Sequence, residues 1–128
     1  MSDVTNTVDT YLAMWNETDA SRRVAHIRHA WADDGHYADP SLEATGHAAL
    51  NAMVDGVQAR FPGHHFRRTI GVDAHRDQLR FGWELTAPDG TVVVAGIDVG
   101  AIGPDGRLRR ITGFFGDLPK VESGARDA

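Results

Sequence analysis

Three residues carry the chemistry this sequence could perform, and Asp98 is the most informative of them. It interrupts Val92-Val93-Val94-Ala95-Gly96-Ile97-Asp98-Val99, a run whose β-branched residues suit a central strand. Burying an unpaired carboxylate costs several kcal/mol, so such a group takes a partner or keeps its proton. A strand that frays there, turning Asp98 to water, fits the residue types equally well. Tyr11 stands on the apolar stripe Val4, Val8, Tyr11, Leu12 and Trp15, where a tyrosine is ordinarily a core residue with its hydroxyl at the edge. Asp39 lies between Tyr37 and Pro40. The proline biases it away from helical backbone, so it sits at a bend, the common place for a turn aspartate.

The elements that must position these groups follow from the hydrophobic spacing. The stripe from Val4 to Trp15 predicts a first helix, with Asp3 or Thr5 as its cap, and Asp19 caps a second that runs through Val24, Ile27, Ala30 and Trp31 and stops near Asp34-Gly35. A short extended piece, His36-Tyr37-Ala38, leads to Asp39-Pro40. After Gly46 a third helix carries Leu50, Met53, Val54, Val57 and Phe61 until Pro62-Gly63 ends it. From His64 the period becomes two. Phe66, Ile70 and Val72 share a strand face, and Leu79, Phe81, Trp83 and Leu85 alternate with Arg80, Gly82, Glu84 and Thr86. Pro88-Asp89-Gly90 and Pro104-Asp105-Gly106 turn the chain into strands Thr91 to Ile102 and Arg107 to Phe115, with Gly82, Gly96, Gly100 and Gly113 placed to allow bends. Helices followed by hairpin-linked strands form the α+β class, with the helices on one face of an antiparallel sheet. The outer face of that sheet still carries apolar side chains such as Val93 and Ile97, which predicts a homodimer.

Composition narrows the functions. The 128 residues suit one domain, 1–128, whose end, 118–128, has nothing to bury and reads as a frayed tail. With no cysteine, thiolate catalysis, disulfides and thiolate metal sites are absent. A net charge of -5 argues against a nucleic-acid partner, and no apolar run is long enough to span a membrane. The start, MSDVTNTVDTY, lacks the features of a secretory signal, so a cytoplasmic location is expected. Twelve of the thirteen basic residues are Arg, a usage typical of high-GC bacteria. His26 and His29 share a helix face and His64 and His65 adjoin, but no carboxylate joins either pair at a metal-site spacing, so no metal is expected. His36 and His47 flank the Asp39 segment, where a titrating ring at a pocket mouth would tune the aspartate.

Taken in order, VDTYLAMWNETD, ADDGHYADP, GHAAL and VVVAGIDVGAIGPDGRLRRITGFFGD resemble the nuclear transport factor 2 superfamily, and within it the SnoaL-like polyketide cyclase and ketosteroid isomerase branch, over about residues 4 to 117. The resemblance implies a cystatin-like cone, in which three N-terminal helices and a curved antiparallel sheet enclose an apolar pocket, generally in a homodimer. It also implies roles: Tyr11 as an oxyanion-hole donor, Asp39 in YADP as general base, and Asp98 in AGIDVGAI as a protonated acid, with no cofactor. Trp15, Trp31, Val54, Phe61, Trp83 and Phe115 are then the expected walls for a small hydrophobic ligand. Val54 departs from the isomerase pattern, since it replaces a second tyrosine, which tells against a strictly steroid-isomerising role, and polyketide cyclases of this fold resemble the pattern too. A non-catalytic binder of hydrophobic small molecules, or an epoxide hydrolase built on an Asp-Arg-Asp set, are the rivals. For the latter Arg68 or Arg80 would have to point inward, and strand parity favours Arg68.

Overall fold

The side chain of Asp19 starts the second helix as its residue type predicts: Oδ1 accepts the backbone N–H groups of Ser21 and Arg22 at 2.8 and 3.1 Å. The computed structural model describes residues 3–121. Three helices, α1 (Asp3–Asn16), α2 (Ala20–Ala30) and α3 (His47–Arg60), pack on one face of a seven-stranded sheet. Its strands are β1 (Trp31–Ala38), β2 (Glu43–Thr45), β3 (His65–Arg68), β4 (Asp73–His75), β5 (Gln78–Thr86), β6 (Val92–Ile102) and β7 (Leu108–Phe115). They lie in the order β2-β1-β7-β6-β5-β3, and β4 also pairs with β5. None of the described helices is long and apolar enough to cross a membrane.

Three expectations are corrected. The sheet is mixed, because β1 runs parallel to β7 while every other pair is antiparallel. Hairpin turns fix β5, β6 and β7 as antiparallel neighbours, whereas β1 and β7 are distant in sequence and no turn sets their relative direction. The second helix ends at Ala30, and Trp31 already begins β1. Between Trp31 and His36 the register slips against β7, and this bulge hides the strand from a period-two reading. Finally, the strand face of Phe66, Ile70 and Val72 is broken: β3 and β4 are separate short strands, and Ile70 between them is 58% exposed. Of the expected tail, Leu118 and Val121 are exposed and lie outside regular structure, and residues 122–128 fall outside the described residues.

The helices are locked to one another by a buried arginine. Arg23 is 0% exposed. Its guanidinium donates to Asn51 Oδ1 and Asp55 Oδ1, each at 2.7 Å, to Gln58 Oε1 at 3.1 Å, and to the Glu17 carbonyl. Gln58 in turn donates to the carbonyls of Trp15 and Glu17 at 2.9 and 2.8 Å, so the end of α1, α2 and α3 share one network. Truncating Arg23 leaves the Glu17 carbonyl and the amide oxygens of Asn51 and Gln58 without their donor, which costs about 1–3 kcal/mol, while the exposed Asp55 recovers water. Arg23→Ala should therefore lower the urea midpoint by that equivalent, and a shift near zero would show that the helix layer does not rest on this network.

Candidate functional site

On the concave face, strand pairing arranges side chains in rows. Trp83, Gly96 and Phe115 form one row, and Phe81, Asp98 and Gly113 form the next. Asp98 is 3% exposed, so the strand does not fray and the carboxyl enters the interior. Gly96 makes its surroundings possible. The Trp83 indole lies over that glycine, where a Cβ would come within 2.6 Å of the ring, and reaches Asp98 Oδ1 with its Nε1–H at 2.9 Å. From the helix layer, Tyr11 donates its hydroxyl to Asp98 Oδ2 at 2.8 Å. The sequence-predicted Tyr11 and Asp98 thus meet from opposite layers.

Asp39 joins them across Gly113. A Cβ on Gly113 would lie 3.0 Å from Asp98 Oδ1, 3.2 Å from the Tyr37 hydroxyl and 3.3 Å from Asp39 Cβ, so the missing side chain leaves the two carboxyls facing one gap. Asp39 follows β1 at a bend, as Pro40 predicts. Its Oδ1 accepts from the backbone N–H groups of Ser41 and Leu42 at 2.8 and 2.7 Å, and its Oδ2 accepts from the Tyr37 hydroxyl at 2.6 Å. Tyr37 was not singled out from the sequence. The signal was present, because residues two apart on a strand share a face, and Tyr37 and Asp39 are so spaced.

Desolvation sets the electrostatics. Burial, opposed by the hydrogen bonds from Tyr11 and Trp83 and assisted by the charge of Asp39, pushes Asp98 up from the ordinary carboxyl value to about 7. Burial, then the nearby charge of Asp98, raises Tyr11 well above the usual phenol range, and Tyr37 is raised by burial, by Asp98 and by its bond to Asp39. Both phenols stay neutral at physiological pH. An indole N–H only donates, so Oδ1 accepts from Trp83 in either protonation state, and Oδ2, which accepts from the Tyr11 hydroxyl when the carboxyl is ionised, is the oxygen left to carry the proton.

These groups lie at the inner end of a pocket whose walls include Leu12, Trp15, Val57, Phe61, Phe66, Trp83, Leu85 and Phe115. Asn16 holds Phe66 in that wall by exchanging two 2.8 Å hydrogen bonds with its backbone. Of the expected walls, Trp15, Phe61, Trp83 and Phe115 line the cavity, but Trp31 and Val54 do not. Both are 0% exposed in the core, Trp31 because it opens β1 and packs behind Tyr11 with ring centroids 5.8 Å apart. Val54 lies one helical turn before the lining residue Val57.

The arginine expectation is also corrected. Arg68 pairs with Asp9 at 3.0 Å and Arg80 with Asp73 at 2.8 Å, so neither enters the pocket, and the Asp-Arg-Asp set they would have supplied is not formed. His36 and His47 do not line it either: His36 bonds Thr45 and Glu43 on the outer side of β1, and His47 Nε2 lies 3.0 Å from the carbonyls of Trp31 and Ala32, bracing the bulge.

The Asp98 shift has a stability consequence. Its folded value, about 7, lies above the ordinary 3.8, so its contribution is fully present below about pH 4 and is lost as pH rises through 7. Asp98→Asn keeps an acceptor for Trp83, offers Tyr11 an N–H in place of the acceptor Oδ2, and cannot titrate. Relative to that variant, the wild type should lose stability between about pH 4 and 8, by up to about 4 kcal/mol at one pKa unit per 1.36 kcal/mol. A pH-independent difference in urea midpoint would show that Asp98 ionises like an exposed carboxyl.

No protein-family model and no curated protein matches the sequence. Solved structures do. A protein of the SnoaL-like family from Agrobacterium tumefaciens strain C58, assigned as an isomerase, is 35% identical, with a TM-score of 0.86 over 91% of this chain and 100% of its own. A protein from Sinorhizobium meliloti assigned as a polyketide cyclase is 14% identical, with a TM-score of 0.66 over 84% of this chain and 93% of its own. One with a cystatin-like fold from Methylobium petroleophilum PM1 is 18% identical, with a TM-score of 0.72 over 97% of this chain and 82% of its own. The last two share the fold alone, an α+β cystatin-like cone. The identity to the first over its whole length goes further, and this chain belongs to the SnoaL-like family.

Proposed function

We propose that this protein is a cofactor-independent proton-transfer enzyme, an isomerase or cyclase by reaction type, acting on a small hydrophobic carbonyl compound. One observation carries it: at the inner end of an apolar pocket, a carboxyl with a raised pKa shares a hydrogen bond with a neutral phenol, while a second carboxyl faces them across Gly113. A carbonyl oxygen between Tyr11 and Asp98 Oδ2 would receive two donors that strengthen as negative charge develops there. Asp39 then takes a proton from the adjacent carbon and returns it to another, so the proton balance closes on one residue. Neighbours assigned as an isomerase and a cyclase fit both outcomes of such an enolate.

A second assignment, a pocket that binds without turnover, is favoured by the three donors that already occupy the Asp39 carboxylate. Isomerisation of 3-cyclohexen-1-one to its conjugated isomer, followed by ultraviolet absorbance, separates the two. Turnover by the wild type that drops about 100- to 10,000-fold in Asp39→Asn supports the enzyme; binding of the enone with no turnover supports the binder, and full turnover in the variant removes Asp39 from the mechanism.

The proposal includes a homodimer. Ile97 and Phe114 are register partners on the outer sheet face, 39% and 56% exposed, with Val92 and Val93 beside them at 43% and 44%. Light scattering should give twice the 13.9 kDa chain mass, and a particle of that single mass would overturn the dimer.

A further inference from the structure

We infer that the pocket selects a one-ring compound carrying an anionic group, bound with its carbonyl inward and its charge at the mouth. This rests on the proposed donor pair of Tyr11 and Asp98 and adds the substrate class. The first observation is size. The cavity volume is about 140 Å³. An engineered apolar cavity of about 150 Å³ holds one benzene, so a single ring fills this space and a fused multi-ring skeleton exceeds it. Aromatic walls on several sides, Trp15, Phe66, Trp83 and Phe115, suit a flat ring, and Phe66 lies 5.3 Å from Trp15 and 5.8 Å from Trp83 between centroids.

The second observation is charge. Among the residues lining the cavity, Arg60 is the one cation, and the acids are Asp39 and Asp98 at the inner end. Arg60 closes the last turn of α3 and is exposed, with its guanidinium carbon 6.0 Å from the centroid of Phe61, which also lines the cavity. Stacking on that ring holds the charge at the opening. Among the described residues Arg60 makes no ion pair, as is also true of Arg28, Arg76, Arg109 and Arg110, but of these only Arg60 lines the cavity. A ligand carboxylate is repelled from the inner end by the Asp39 carboxylate and attracted to the mouth. Charge therefore orients the ring with its carbonyl toward Tyr11 and its carboxylate toward Arg60.

Phenols test this without knowledge of the substrate, because a phenolic oxygen presents itself to the donor pair as an enol does. Two probes share a ring and differ at the far end: 4-ethylphenol and 3-(4-hydroxyphenyl)propanoate, with binding read from tryptophan fluorescence. The carboxylate should bind about three- to fivefold more tightly at low salt, the size of an exposed ion pair, and the advantage should shrink as salt is added. Arg60→Gln should remove the difference between the two probes, and Arg60→Lys should restore part of it. Equal affinities in the wild type, or a preference that survives Arg60→Gln, overturn the anion site. A four-ring steroidal phenol that binds as tightly as 4-ethylphenol overturns the size limit. Failure of every phenol to bind overturns the donor pair itself and this inference with it, an outcome distinct from binding without preference.

Discussion

The structure turns on the burial of one carboxyl group, Asp98, on the concave face of β6. A side chain that polar can sit in the interior only if its oxygens are matched by donors, and the sheet rows around it are arranged to supply them. Glycine stands beside it on both neighbouring positions that matter: Gly96 lets the Trp83 ring cross the strand to Oδ1, and Gly113 opens the gap toward Asp39. Oδ2 is met from above by Tyr11, so α1 must lie across the sheet at one height. Asn16 pins the end of α1 to β3, and the Arg23 and Gln58 network pins it to α2 and α3. The helix layer is thus registered on the sheet by polar contacts at the middle and the C-terminal end of α1, while apolar burial supplies the bulk of the stability.

Two carboxyls close together need different environments if they are to differ in what they do. Asp98 has two side-chain donors and little water, and desolvation outweighs them, so its proton is retained toward neutrality. Asp39 sits at the edge of the strand, half-buried, with two backbone N–H groups and a phenol replacing its water. The same type of side chain is made a donor in one place and an acceptor in the other by burial and by the partners each position offers. Coupling runs between them, since the charge of Asp39 adds to the rise of Asp98 and the charge of Asp98 raises Tyr37.

Most of the element order was legible in the residues, because after Pro62-Gly63 the spacing becomes period-two and the three helices all precede it. Tyr11, Asp39 and Asp98 do converge, as the resemblance implied. What was not legible belongs to long-range packing. Trp31 continues the apolar stripe of α2 by spacing alone, and only the bulge against β7 shows that it is a strand residue. Parity placed Arg68 on the inner face with Phe66, yet β3 ends there and the side chain turns to Asp9, a partner 59 positions away. Arg60 gave no signal beyond being a basic residue in the last turn of a helix, where such residues are common whatever they face. Trp83 was expected as wall and is also a hydrogen-bond donor, because its role depends on the empty side of Gly96, its register partner on β6.

An apolar residue at position 98 would fill the same space with no titration and no need for Trp83 or Tyr11 to be aligned. Replacing buried polar groups by well-packed hydrophobic ones is often neutral or stabilising, so stability alone gives no reason for an aspartate there. Its neighbours reinforce the point, since Gly96 and Gly113 give up packing volume on both sides of it and strand glycines weaken a sheet. A site that sacrifices packing to surround one acid with a phenol, an indole and a second acid, all opening onto a cavity rather than sealed in the core, is what the proposed donor pair for a ligand oxygen requires. The same glycines that loosen the sheet create the room in which that oxygen would sit.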